Sequence, residues 1–175
     1  RIYPSKEMKV LGITGGLGSG KSTICRIFSV LGIPVYEADA EVKRMYAGND
    51  SLAVLLKKNF PAELFDEQGK PDTRMFATYF FGNGEALQKL NSLVHPFVRE
   101  HFAKWRTKQT SPYVLKEAAI LFESGSDSDC DKTASISAPE DLRIERVWER
   151  DKRSRAEIKK IMAHQWTDEQ RAEKA

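Results

Sequence analysis

The stretch GITGGLGSGKST, residues 12–23, decides how this chain is read. Five of its twelve residues are glycine, and a single lysine follows the last of them. Gly15, Gly20, Lys21 and Ser22 satisfy the spacing G-x-x-x-x-G-K-[ST] of a phosphate-binding loop, with Gly16, Gly18 and Ser19 between. A backbone that converges several N–H groups on phosphate oxygens needs positive φ angles and no Cβ in the way, and glycine supplies both. Lys21 supplies a mobile charge for the β- and γ-phosphates. The Ser22 hydroxyl suits a Mg²⁺ held between those phosphates, and Thr23 can donate to a neighbouring phosphate. A polyphosphate with Mg²⁺ is therefore the expected ligand of the loop.

The flanking residues supply the context this loop requires. MKVLGIT before it is short, apolar and β-branched, as in a buried strand. After it, Ile24, Ile27, Phe28 and Leu31 recur at i, i+3, i+4 and i+7, the stripe of an amphipathic helix that Gly32 closes. The N-terminus of that helix adds positive partial charge behind the loop. IPVYEAD then reads as a second strand, so the first forty residues spell a βαβ unit of a parallel sheet. The competing reading is a dinucleotide loop of the form T-G-x-x-x-G-x-G, in which Asp39 would hold a ribose hydroxyl. Its register fails by one residue, because Ser19 and Lys21 stand where glycines are required.

Composition narrows the class of protein. The chain has 175 residues, 41% of them hydrophobic, which suits one compact domain or a core with an insertion. With 28 basic and 25 acidic residues the net charge is only +3, so nothing forces a nucleic-acid partner and none is expected. The pI near 8.8 suits an anionic ligand. No apolar run approaches the roughly 18 residues of a membrane span, and no membrane partner is expected. Cys25 and Cys130 lie far apart without metal-type spacing and read as reduced thiols of a cytoplasmic protein. Residues 1–7 read as an N-terminal extension before Met8.

Beyond the βαβ unit the periodicity turns helical. SLAVLLKKNF and EALQKLNSLV have helical spacing, and Pro96 is expected to open a new helix at its first turn. PYVLKEAAILF reads as a third strand and DKTASISA as a weaker fourth. PEDLRIERVWERD reads as a helix with acids in its first turn. Ser154 with Glu157, and Thr167 with Gln170, carry capping-box signatures. The pattern stops within a helix, and a doubly wound sheet would carry a further strand past Ala175.

A phosphate-binding loop identifies the donor and leaves the acceptor open. A small GTPase needs N-K-x-D, which is absent from the sequence. A motor ATPase needs a longer chain. A small kinase remains. Asp39, at the expected carboxyl end of the second strand, stands where ligands sit in parallel sheets. It reads as a base toward an acceptor hydroxyl, as a partner of a Mg²⁺ water, or as a helix N-cap. The runner-up acceptors are a nucleoside monophosphate or a small polyol.

The acceptor comes from a resemblance. GITGGLGSGKST, LGIPVYEAD, LNSLVHPFVRE, EAAILFESG and RVWERD, in that order, resemble the dephospho-CoA kinase family. The likeness runs from Met8 to Ala175. It implies phosphorylation of the 3′-hydroxyl of dephospho-CoA by ATP, the last step of coenzyme A synthesis. It also implies a three-layer α/β P-loop fold like that of nucleoside kinases, with a parallel sheet, a helical acceptor-binding insertion and a helical lid. On this chain the core is expected over 8–39 and 111–138, continuing over 156–175. The acceptor region is expected over 40–110 and the lid over 139–155. Dephospho-CoA is the one small-molecule partner implied, and a monomer or weak homo-oligomer is expected.

Carried over by position, Gly18 to Thr23 bind ATP and Asp39 is the general base. The family's D-A-D is Glu37-Ala38-Asp39 here, so the first acid is altered and the second kept. Arg74 of DTRMF matches the arginine of a D-R-x-x-L segment, and Asn91 and His95 match L-N-x-x-x-H-P in the acceptor region. His95 alone would equally be a packing or capping residue. Arg146 and Arg150 fall in the lid. Lys160 stands where the family often has arginine.

Three further groups of residues have readings of their own. Glu117 and Glu123 bracket the third strand's exit and are candidates for a Mg²⁺ environment near Ser22, or plain structural carboxylates. Arg143, Arg146, Arg150 and Arg153 recur at i, i+3, i+7 and i+10, which places them on one helix face. That face is either solvated or a phosphate-facing stripe, for which arginine's bidentate fork is suited. The aromatics Phe76, Tyr79, Phe80, Phe81, Phe97, Phe102 and Trp105 read mostly as core, with one or two available to an acceptor.

Overall fold

A computed structural model describes residues 8–80 and 82–175. The expected extension over 1–7, and Phe81 of the aromatic set, lie outside the described residues. In chain order the elements are β1 (Lys9–Thr14), α1 (Lys21–Val30), β2 (Val35–Glu37), α2 (Ala38–Gly48) and α3 (Asp50–Asn59). Next come α4 (Thr73–Phe80), α5 (Gly84–Arg106), β3 (Tyr113–Glu117) and β4 (Lys132–Ser135). The helices α6 (Glu140–Asp151), α7 (Arg155–Ala163) and α8 (Asp168–Lys174) complete the chain. The chain divides into two compact units, one ending at Glu37 and resuming over Gln109–Ala175, the other Ala38–Lys108.

The first unit is built on a four-stranded sheet of order β2-β3-β1-β4, in which every pairing is parallel. All carboxyl ends therefore open on one edge, the edge from which the glycine loop leaves β1. Strand alternation sets the layers. Ile13 packs with Cys25 of α1 and with Leu115 on one face of the sheet. Gly12, one residue earlier, faces the other side, where a Cβ would come within 2.8 Å of Leu121 and 2.9 Å of Cys130 Sγ. Helix α1 closes as Gly32 predicts: Gly32 has φ +82°, and the N–H groups of Gly32 and Ile33 donate to Ser29 and Phe28 at 3.0 Å each.

The stripe expected on α1 is only half buried. Cys25 and Phe28 meet the sheet, whereas Ile27 and Leu31 are exposed. The helix leaves the loop in an orientation set at its first turn. That orientation, not the apolar spacing, decides which side chains reach the sheet. Both capping boxes form, Ser154 with Glu157 on α7 and Thr167 with Gln170 on α8.

The second unit is helical. Pro96 does not open a helix there; it lies inside the 23-residue α5. An interior proline costs about 3 kcal/mol through its lost N–H and its clash with the preceding turn. Leu90, Val94, Val98 and Phe102 form one buried stripe through it, and burying such side chains stabilises by about 1.5–3 kcal/mol each. Continuous packing outweighs the local defect. Phe76 and Phe80 are buried and meet Phe60, Phe65 and Tyr46 edge-on or tilted; with Phe102 they are the core members of the expected aromatic set, whereas Phe97 and Trp105 are half-buried and Tyr79 is exposed. Among the described residues no helix is long and apolar enough to cross a membrane.

Candidate active site

The loop between β1 and α1 takes the form its glycines permit. Gly18 and Gly20 have φ +76° and +105°, left-handed values that side chains rarely adopt. The Ser19 N–H donates to the Gly16 carbonyl at 3.1 Å, closing a turn. Helix α1 then starts at Gly20 with no side-chain cap and no acidic residue in its first turn. Its N-terminal partial charge is left for an anion.

Residues Leu17 to Thr23 line a cleft of about 330 Å³, together with Arg146, Val147 and Arg150 from α6. Lys21 Nζ donates to the Gly15 carbonyl at 2.9 Å and lies 4.0 Å from Glu117 Oε1. Glu117 ends β3 and is buried. Ser22 and Thr23 are exposed at the cleft. Ser19 Oγ is buried without a hydrogen-bond partner. Cationic side chains, a helix start free of acids and a glycine-rich backbone make a donor set that fits a polyphosphate. The Ser22 hydroxyl and the Glu117 carboxylate fit a hard divalent cation beside it.

The four arginines separate. Arg146 Nη1 donates to the carbonyls of Gly18 and Ser19 at 3.3 and 3.4 Å. Arg150 lines the same cleft and is held bidentately by Asp151, at 2.7 and 2.9 Å. That hydrogen-bonded pair raises the Arg150 pKa and holds the Asp151 carboxyl below its ordinary range. Arg143 is buried; its Nε donates to the Leu17 carbonyl at 2.9 Å and its Nη1 to Asp168 at 3.2 Å. Arg153 is off the helix, because Lys152 turns left-handed at φ 55° and ends α6. The single arginine face expected from the spacing is thus one buried brace, two residues at the cleft and one beyond the helix.

The acidic candidates separate too. Glu123 lies 3.7 Å from the fully buried Arg171, an ion pair of its own. Asp39 does not end the second strand: β2 stops at Glu37, and Asp39 is the second residue of α2, exposed in its acidic first turn. In the second unit, Arg74 is an exposed residue of α4, whose first turn is capped by Asp72 accepting from the Arg74 and Met75 N–H groups at 2.8 and 2.9 Å. Asn91 and His95 lie one turn apart on α5 and are half-buried. Sequence reasoning missed Gln165 and Asp168. Asp168 stood behind a visible helix cap, but nothing local marks Gln165.

A parallel sheet whose strand-end loop carries Lys21, with Glu117 behind it and arginines on the cleft, defines a P-loop phosphotransferase of the small-kinase class. The family pattern described as dephospho-CoA kinase matches residues 9–175. The chain belongs to the dephospho-CoA kinase family. A dephospho-CoA kinase of Bacteroides fragilis (strain YCH46) is 36% identical over 166 residues, covering 94% of this chain and 80% of the relative. A crystal structure from Thermus thermophilus superposes with TM-score 0.86 at 32% identity, covering 97% of this chain and 86% of that one. Dephospho-CoA kinase from Campylobacter jejuni superposes with TM-score 0.56 at 25% identity, covering 86% of this chain and 76% of that one.

Proposed function

We propose that this chain transfers the γ-phosphate of ATP to the ribose 3′-hydroxyl of dephospho-CoA, giving coenzyme A and ADP. The observation that carries this reading is the cleft of Leu17 to Thr23 with Lys21 and Glu117, in a chain matched to the family over residues 9–175. Lys21 and the loop N–H groups hold the β- and γ-phosphates. Ser22 and Glu117 would hold Mg²⁺, which would supply positive charge to neutralise the phosphates. Arg146, with Arg150, meets the charge that spreads over the transferred group. Transfer of this kind passes through a loose transition state, so positioning and charge neutralisation contribute more than proton removal.

Asp39 orients the acceptor hydroxyl and takes its proton. Residues 40–110 receive dephospho-CoA, with Arg74, Asn91 and His95 as contacts, and residues 139–155 serve as the lid that excludes water. The protein works in the cytoplasm as a monomer or weak homo-oligomer. The test is ADP release from ATP offered with dephospho-CoA, AMP, CMP or gluconate. Turnover with dephospho-CoA well above the other three is the expected result. No turnover above the background ATPase rate would reject the reading.

A further inference from the structure

The phosphate loop is gripped from outside its cleft. Arg143 Nε donates to the Leu17 carbonyl at 2.9 Å, and the Leu17 N–H donates to Gln165 Oε1 at 2.9 Å. Both polar groups of one loop residue are thus taken by side chains more than a hundred positions away in sequence. Leu17 also packs on Ile144, Val147 and Ile158 of α6 and α7. Arg143 is itself held by Asp168 at 3.2 Å, and Asp168 accepts in turn from the buried Arg171 at 3.3 Å. Arg143, Gln165 and Asp168 line a separate cavity of about 560 Å³; among the described residues, the phosphate cleft takes its arginines from Arg146 and Arg150 instead.

The grip falls on the peptide that has a choice. Residues 16–19 form a turn closed from Ser19 to Gly16, with Gly18 at φ +76° in its third position. That is the signature of a type II turn, which differs from type I mainly by a flip of the central peptide. The central peptide here is Leu17–Gly18. In a planar trans peptide the N–H points opposite to the C=O. Holding the Leu17 carbonyl at Arg143 therefore turns the Gly18 N–H the other way. The flipped peptide would carry the carbonyl where an N–H now points.

We infer that Arg143 is a positioning residue. By binding the Leu17 carbonyl, with Gln165 and Asp168 completing the clamp, it selects the turn that turns the Gly18 N–H toward bound phosphate. The inference rests on the loop binding ATP, as proposed above, and goes beyond it by assigning Arg143 to loop geometry rather than to phosphate contact.

The test is titration calorimetry with ATP, alongside steady-state kinetics and amide NMR of the nucleotide-free protein. Arg143→Met is expected to weaken ATP binding about tenfold, the worth of one charge-assisted hydrogen bond, with the KM for dephospho-CoA unchanged. Asp168→Asn keeps the guanidinium but releases it, and is expected to shift ATP affinity in the same direction. Arg143→Lys is expected to recover part of the loss. The Gly18 amide resonance should move in Arg143→Met and stay in place in Arg150→Met. Unchanged ATP affinity in Arg143→Met, or an unmoved Gly18 amide, overturns the inference. Loss confined to Arg143→Met, with Asp168→Asn like wild type, overturns it too, since that is the pattern of direct phosphate contact. If Arg143→Met fails to fold, Asp168→Asn carries the decision by the same two readouts. Wild-type protein that binds ATP yet leaves dephospho-CoA unphosphorylated rejects the proposed function alone, because the inference is judged on ATP affinity.

Discussion

Lys21 Nζ stands 4.0 Å from Glu117 Oε1 while it donates to the Gly15 carbonyl. A buried carboxylate and a loop carbonyl thus hold the Lys21 charge from two sides. The arrangement keeps the lysine pointed into its loop and places an acid where a cation would sit.

Glu117→Gln follows from that pairing. Removing the negative charge should leave metal-free ATP binding intact or tighter, since less repulsion faces the phosphates. Mg²⁺-supported turnover should fall by about 10- to 100-fold, the usual cost of losing a group that orients a metal. Titrating turnover against Mg²⁺ measures this. A wild-type Mg²⁺ dependence would remove Glu117 from the metal's surroundings.

Gly16 and Arg143 should be coupled. A Cβ on Gly16 would overlap Arg143 Nη2, with Cζ only 2.8 Å away, although Gly16 has an ordinary φ. Gly16→Ala should therefore weaken ATP binding by displacing the guanidinium rather than by straining the backbone. In an Arg143→Ala background the same change should cost less, giving a coupling energy of about 1 kcal/mol or more. Strict additivity would mean that the two residues act separately.

Arg146 is nearer the loop backbone than Arg150, which Asp151 holds. Arg146→Ala is expected to lower kcat by about 10²- to 10³-fold, as for other groups that stabilise transition-state charge. Arg146→Lys should recover little, because a point charge cannot replace the fork. Arg150→Ala should be the milder change. Single-turnover rates with saturating ATP decide the order, and a larger loss at Arg150 would reverse it.

Asp39→Asn should bind ATP as wild type does and lose most phosphotransfer. Near-normal turnover at saturating dephospho-CoA would take Asp39 out of the mechanism. Its place in the first turn of α2 makes a second readout useful. The melting temperature should barely change, which separates loss of chemistry from loss of helix stability.

The two thiols should be sluggish in the folded protein, Cys25 more than Cys130. Burial pushes both Cys25 and Cys130 up to about 11, from an ordinary value of 9.0. The folded chain then holds more protons than the unfolded one between those values. The stability involved is fully present below about pH 9 and lost as pH rises through about 11. At pH 8 a thiol reagent should leave Cys25 unlabelled until denaturant is added and should react slowly with the half-buried Cys130. Fast labelling of Cys25 under native conditions would contradict its burial.

How far the sequence reaches depends on the range of the forces at each residue. The loop was legible because its requirements are local: Gly18 and Gly20 need left-handed φ, and Lys21 and Ser22 must follow at fixed spacing. The capping boxes at Ser154 and Thr167 were legible for the same reason, since each closes within four residues. Pro96 was misread because its local cost is outweighed by a stripe buried along the whole of α5. Asp39 was placed on the strand because apolar runs do not mark where a sheet's hydrogen bonds stop. The arginine spacing holds for Arg143, Arg146 and Arg150, which share the side of α6 that meets the loop, and fails at Arg153, because the helix ends before it; spacing alone does not show that Arg143 is buried as a brace while Arg146 and Arg150 line the cleft.

By itself, then, the sequence carried the spacing of a phosphate-binding loop after the first strand, with Lys21 at the end of a glycine-rich backbone. It also carried the family's signature along the chain. Only the tertiary structure decided that Glu117 and not Glu123 stands by Lys21, and that Arg143, Gln165 and Asp168 grip the loop from behind. The physical reason is range. Backbone sterics and capping act between near neighbours, whereas burial and ion pairing act between residues that only the folded chain brings within a few ångströms.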